Sequence, residues 1–121
     1  MTQHLFVYGT LRPGDVRWSF LEPLVADLGV VDTVAGQLFD TGLDYPAAVF
    51  GGKGTIVGRT YLLRADTIDQ ALAVLDEEED TVLGLYRRVE LTTVGGIRAW
   101  AYEYGDGLEL TPIESGDWFL R

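Results

Sequence analysis

A single segment of this chain carries helical periodicity, and almost everything around it reads as short strand. Ile68, Ala71, Leu72 and Leu75 fall at i, i+3, i+4 and i+7, one apolar stripe. Thr67 and Gln70 stand in the S/T-x-x-E/Q relation of a capping box, so the predicted helix begins at Thr67. Apolar, aromatic and β-branched runs punctuated by glycine predict strands over residues 4–8, 28–39, 55–63, 86–94 and 97–104, with a shorter segment from Tyr45-Pro46 through Phe50. Gly36 inside the second run predicts a bend or bulge. Gly51-Gly52-Lys53-Gly54 predicts a hairpin turn, and Gly95-Gly96 joins the two late strands. Residues 18–26 read as a short helical or irregular stretch interrupted at Pro23. About six strands with one or two helices predict an α+β fold, a small mixed β-barrel or curled sheet with packed helices.

The 121 residues are 47% hydrophobic, which predicts one domain, residues 1–121, able to bury a core without staples. No apolar run approaches the roughly 20 residues of a membrane span, and the start MTQHLFVYG does not read as a signal peptide. With 19 acidic residues against 9 basic, the net charge of -10 disfavours nucleic acid and anionic membranes as partners. Zero cysteine removes disulfides, thiolate metal sites and a cysteine nucleophile, and a cytoplasmic protein is the simplest expectation.

Elimination narrows the chemistry. His4 is the only imidazole and stands at a strand start, so a Ser-His-Asp triad and a histidine metal site lack their central residue. The acidic run Asp76-Glu77-Glu78-Glu79-Asp80 lacks the alternating ligands and central glycine of a calcium loop. Gly52-Lys53-Gly54-Thr55 lacks the Lys-Ser/Thr pair of a phosphate loop. Carboxylate chemistry remains. At about 100° per residue, Glu79 continues the stripe of Leu72 and Leu75, while Glu77 points away and Asp76 lies on the flank. A carboxyl aimed inward, among like charges and at the negative end of a helix, is expected to have a raised pKa suited to a general base. The same run also reads as a solvated helix end. The loop Gly9-Thr10-Leu11-Arg12-Pro13-Gly14 is the second candidate. Its consecutive N–H groups and Arg12 suit an anion, and its alternative is a plain strand-to-loop turn.

Four blocks, in order, resemble the gamma-glutamylcyclotransferase-like family, including its AIG2-like and gamma-glutamylamine cyclotransferase branches. Residues Phe6-Val7-Tyr8-Gly9-Thr10-Leu11-Arg12-Pro13-Gly14 resemble its V-Y-G-[TS]-L-R-x-G signature, and Tyr45-Pro46-Ala47-Ala48-Val49 is similar to its YP-small-small-V segment. Leu75-Asp76-x-x-Glu79 with Tyr86-x-Arg88 resembles its L-D-x-x-E-G-x5-Y-x-R block, with Asp80 in place of the glycine. Ile113-x-x-Gly116-Asp117-Trp118 is similar to the closing signature of bacterial members. The resemblance implies a small barrel with a cavity and release of 5-oxoproline from a small gamma-glutamyl substrate. It implies Glu79 as acid/base, Tyr8, Gly9, Thr10, Leu11 and Arg12 around the glutamyl moiety, and Tyr86 in the substrate site. No metal or organic cofactor is implied, and neither the oligomeric state nor the leaving amine is read from these residues. The alternative implied by Asp80 is a non-catalytic module binding a small ligand or protein on the same barrel.

Overall fold

A computed structural model describes residues 2–9, 18–42, 46–78, 86–104 and 110–120. Their elements are β1 (His4–Val7), α1 (Trp18–Leu21), a 3-10 turn (Glu22–Leu24), β2 (Val30–Asp40), β3 (Pro46–Leu62), α2 (Ile68–Glu78), β4 (Tyr86–Thr92), β5 (Arg98–Tyr104), β6 (Thr111–Ile113) and a 3-10 turn (Trp118–Leu120). The six strands form one mixed sheet in the order β4-β5-β1-β3-β2-β6. Only the β1–β5 pair is parallel; β1–β3, β2–β3, β2–β6 and β4–β5 are antiparallel.

The sheet curls into a half-barrel. Strand β1 lies between β3 and β5, yet the Phe50 N–H of β3 donates to Glu103 Oε2 of β5 at 3.0 Å. The turn after β4 reaches β2, where the Val94 N–H donates to the Thr33 carbonyl at 2.8 Å. Curling sorts alternate residues into two cores, because successive strand side chains point to opposite faces. Leu5 and Val7 enter one core with Ala47, Tyr61, Tyr86 and Tyr102, and Phe6 and Tyr8 enter the other with Val34, Leu38, Ile56 and Trp118. Helix α2 covers the first core through Ile68, Leu72 and Leu75, and Ala71 is buried on the same stripe, as their spacing predicts. Each of its large apolar side chains contributes about 1.5–3 kcal/mol through burial.

The glycine run 51–54 corrects one expectation. It is not a hairpin turn but part of one continuous strand, β3. Phe50 pairs with Gly36 and Thr55 with Ala35, so residues 46–50 and 55–62 both run antiparallel to the same partner, β2. A reversal would have paired those two segments with each other. The four intervening residues bulge out instead, and Gly51 and Gly52, at φ of +94° and +80°, supply a backbone that L side chains rarely adopt. The bend predicted at Gly36 coincides with this register shift.

Asp32 ties the curl together. Its Oδ1 accepts the Thr33 N–H at 2.8 Å and the Gly95 N–H at 3.1 Å, joining β2 to the β4–β5 turn. The hydroxyls of Thr93 and Thr60 lie beside the carboxylate without completing a bond to its buried Oδ2. Burial opposes the charge, but the Thr93 hydroxyl, the two N–H groups and the Thr60 hydroxyl outweigh it, holding the carboxyl below its usual value of 3.8. A depressed folded-state pKa stabilises the fold above the unfolded value and loses that contribution as pH falls through the folded one. Asp32→Asn is therefore expected to cost about 1 kcal/mol at pH 7. The gap from wild type should close as the pH is taken below 3.8. Urea midpoints measured at pH 7 and in acid check this, and a gap of constant size would contradict it.

Candidate functional site

The end of β1 is built by three segments that are remote in sequence. Tyr8 is buried, its ring edge-on to Phe50 at 6.1 Å, and its hydroxyl donates to the Tyr102 carbonyl of β5. Gly9 lies hard against Pro46, the first residue of β3. A Cβ at residue 9 would sit 2.5 Å from Pro46 Cγ and 2.7 Å from Cδ, so only glycine lets these backbones meet without displacement. The Pro46 carbonyl in turn accepts the buried Tyr86 hydroxyl at 2.6 Å. Proline suits this position because it opens the strand, where its missing N–H interrupts no ladder. Tyr8-Gly9, Pro46 and Tyr86 thus form one contiguous wall.

Helix α2 meets this wall through its second half. Leu75 is fully buried in the core that holds Tyr86 and Tyr102. One residue on, Asp76 Oδ1 accepts the Tyr102 hydroxyl at 2.7 Å and the Arg88 Nε–H at 2.9 Å. The Arg88 guanidinium also lies over the Trp100 ring, 4.5 Å from its centroid, a cation–π contact. Tyr102 is the shared part, because its carbonyl receives Tyr8 while its hydroxyl reaches Asp76. Beside it, Glu103 accepts Arg87 at 2.8 Å and the Phe50 N–H at 3.0 Å, closing β5 onto β3.

Among the described residues the arrangement is a braced scaffold, in which buried tyrosine hydroxyls and the Asp76–Arg88 pair fix the end of β1, the start of β3 and the second half of α2 against one another. Among the described residues, no group of three or more His, Cys, Asp or Glu is placed to hold a metal ion. No described helix is long and apolar enough to cross a membrane. An open groove of about 640 Å³ beside Thr2, His4, Glu90 and Arg98 lies at the opposite end of β1. Its charges are spent on each other: Glu90 Oε2 accepts Thr2 Oγ1 at 2.5 Å and Arg98 Nε at 2.9 Å, which hold that carboxyl below its usual value.

Comparison with known proteins decides the family. The family model described as gamma-glutamyl cyclotransferase, AIG2-like matches residues 5–120. The chain belongs to this family. A Vibrio cholerae protein carrying the provisional name gamma-glutamylcyclotransferase is 39% identical over 122 residues, which cover 98% of each chain. The gamma-L-glutamyl-butirosin B gamma-glutamyl cyclotransferase of Niallia circulans is 29% identical over 109 residues, covering 84% of this chain and 66% of that one. Among solved structures, an uncharacterised Pyrococcus horikoshii protein superposes with a TM-score of 0.72 at 31% identity, covering 96% of this chain and 89% of that one.

Within this cyclotransferase-family fold, three of the residues singled out in the sequence are brought together: Tyr8, Gly9 and Tyr86, joined through Pro46. Tyr86 spends its hydroxyl on the Pro46 carbonyl, so it braces the wall as well as bordering it. Thr10, Leu11, Arg12, Glu79 and Asp80 lie outside the described residues. The sequence reading missed Asp76, Arg88 and Tyr102 as a connected set. Asp76 and Arg88 belong to one family-like block and Tyr102 to the strand predicted over residues 97–104, but helical phase alone places Asp76 on a flank. Its partners come from two strands, and no local signal marks them.

Proposed function

We propose that the protein is a gamma-glutamyl cyclotransferase that releases 5-oxoproline from a gamma-glutamyl amine or peptide, with Glu79 as general acid/base. The α-amine of the glutamyl group attacks its own γ-carbonyl carbon. A C–N bond forms to close the five-membered lactam, and the amide C–N bond to the leaving amine breaks. Glu79 takes the first proton from the α-ammonium and returns it to the departing amine, and the second proton, lost as the attacking nitrogen becomes the lactam N–H, leaves with that amine as an ammonium. Nucleophile and electrophile belong to one molecule, so holding it curled supplies much of the acceleration. Backbone N–H groups of the segment Gly9-Thr10-Leu11-Arg12 bind the glutamyl carboxylate or the developing oxyanion, with Arg12 adding charge and Tyr86 bordering the same space. The chemistry uses no metal or organic cofactor. It is carried on one domain, residues 1–121, and the cysteine-free chain suits the cytoplasm.

The observation that carries this reading is the meeting of Tyr8-Gly9, Pro46 and Tyr86 in a chain matched by the family model over residues 5–120. The Niallia circulans relative, named for a gamma-glutamyl conjugate, supports the substrate class. The test is free 5-oxoproline release over a panel of gamma-glutamyl dipeptides and gamma-glutamylamines. At least one is expected to turn over without added metal. A panel that is bound tightly and never cleaved would favour the non-catalytic module to which Asp80, in the family's glycine position, lends weight.

A further inference from the structure

We infer that Asp76, held by Arg88 and Tyr102, is the positioning residue that sets where the end of α2 presents Glu79. The inference rests on the role of Glu79 proposed above. Asp76 precedes Glu79 by three residues, and α2 continues from Ile68 through Glu78. The apolar stripe of α2 holds the helix on the sheet, but apolar contact is non-directional and leaves rotation about the axis loosely defined. Two donors from different strands, Arg88 of β4 and Tyr102 of β5, converge on the single atom Asp76 Oδ1. Two directional bonds to one oxygen define the azimuth of the described end of α2, from which the chain runs on to Glu79.

Stability is a poor account of this cluster. The Asp76 and Arg88 side chains are 29% and 26% exposed, and an ion pair that wet is worth about 0–1 kcal/mol. An acid near a helix C-terminus costs a comparable amount. Both partners are themselves held. Arg88 rests on Trp100, and the Tyr102 carbonyl receives the Tyr8 hydroxyl. A continuous path therefore runs from Tyr8, on the glutamyl side, through Tyr102 to Asp76 on the proton-transfer side. It keeps the two halves of the reaction in register.

The test compares Asp76→Asn, Arg88→Gln, the Asp76→Asn/Arg88→Gln double variant and Tyr102→Phe on the best substrate of the panel, well below each melting temperature. Tyr102→Phe keeps its ring and removes one hydroxyl, so it remains informative where the charge variants fold poorly. The positioning role predicts kcat lower by roughly 10–100-fold with KM little changed. It also predicts a double variant no worse than the more impaired single. A merely structural tie would lower the melting temperature and leave kcat of the folded protein intact, and that result overturns the inference. Equal turnover by wild type and Glu79→Gln would instead overturn the reading of Glu79, and this inference with it.

Discussion

Glu79→Gln is expected to lower kcat/KM for the best gamma-glutamyl substrate by about 10²–10⁴-fold, the usual contribution of a positioned acid/base. The reaction needs a proton removed from an ammonium and a proton delivered to an amine, and a glutamine carboxamide does neither. In the proposed mechanism other groups bind the glutamyl moiety, so the loss should fall on kcat more than on KM. Stability should move the other way or stay still. Removing a negative charge beside Asp76, Glu77 and Glu78, near the negative end of α2, relieves like-charge repulsion and an unfavourable dipole interaction. Steady-state kinetics and a thermal melt of the same preparation separate these effects. An inactive variant that melts as late as wild type supports the assignment. A variant as fast as wild type removes Glu79 from the mechanism.

The largest loss of stability should come from Trp118→Ala, about 3–5 kcal/mol, or a fall of roughly 10–20 °C in melting temperature. Trp118 is 2% exposed and fills the core built from Phe6, Tyr8, Val34, Leu38, Ile56 and Ile113. It opens a 3-10 turn only three residues long. The Phe119 N–H donates to Asp117 Oδ1 at 3.0 Å, and the Val57 N–H of β3 donates to the Gly116 carbonyl at 2.8 Å. These contacts aim the indole into a core that, among the described residues, takes no side chain from α1 or α2. A cavity of that size cannot collapse when its walls are strands fixed by ladder hydrogen bonds. Domains of this kind are stable by about 5–15 kcal/mol, so the variant should unfold at a visibly lower urea concentration. Trp118→Phe should recover much of the loss. A melting temperature within about 2 °C of wild type for the alanine variant would mean that the tail is not part of the core. Tyr8 shares this core, so reduced turnover below the melting point would mark its second consequence.

Local patterns were enough for the pieces that depend on local forces. The i, i+3, i+4, i+7 stripe identified the buried face of α2, because a helix presents one face to its neighbours whatever those neighbours are. Within the strand predicted over residues 4–8, Leu5 and Val7 alternate with Phe6 and Tyr8, and the sheet places the two pairs in different cores. Gly95-Gly96 lies in the turn between β4 and β5, with the Gly96 N–H bonded to the Thr93 carbonyl at 2.9 Å. The absence of cysteine and the single histidine leave carboxylates as the candidates for acid/base work, and the proposal for Glu79 carries that expectation to experiment.

Tertiary structure decided whatever depends on a partner far along the chain. The glycine run 51–54 carries the local signature of a reversal, yet β2 pairs with both flanking segments and turns it into a bulge within β3. A turn signal reports only that the chain can deviate there; the partner strand determines whether it reverses. Three-residue β6 has too little pattern of its own and exists because Leu38, Phe39 and Asp40 offer a free edge. Asp76 is one acid among five neighbours in the sequence. It becomes distinct only where β4 and β5 bring Arg88 and Tyr102 to the same oxygen. Periodicity tells which way a side chain points, whereas the donor it meets is set by sheet order and register. The sequence alone therefore determined a strand-rich chain with one covering helix. The curl of the sheet decided that Gly9 rests on Pro46, that Pro46 accepts Tyr86, and that Tyr8 and Asp76 are joined through Tyr102.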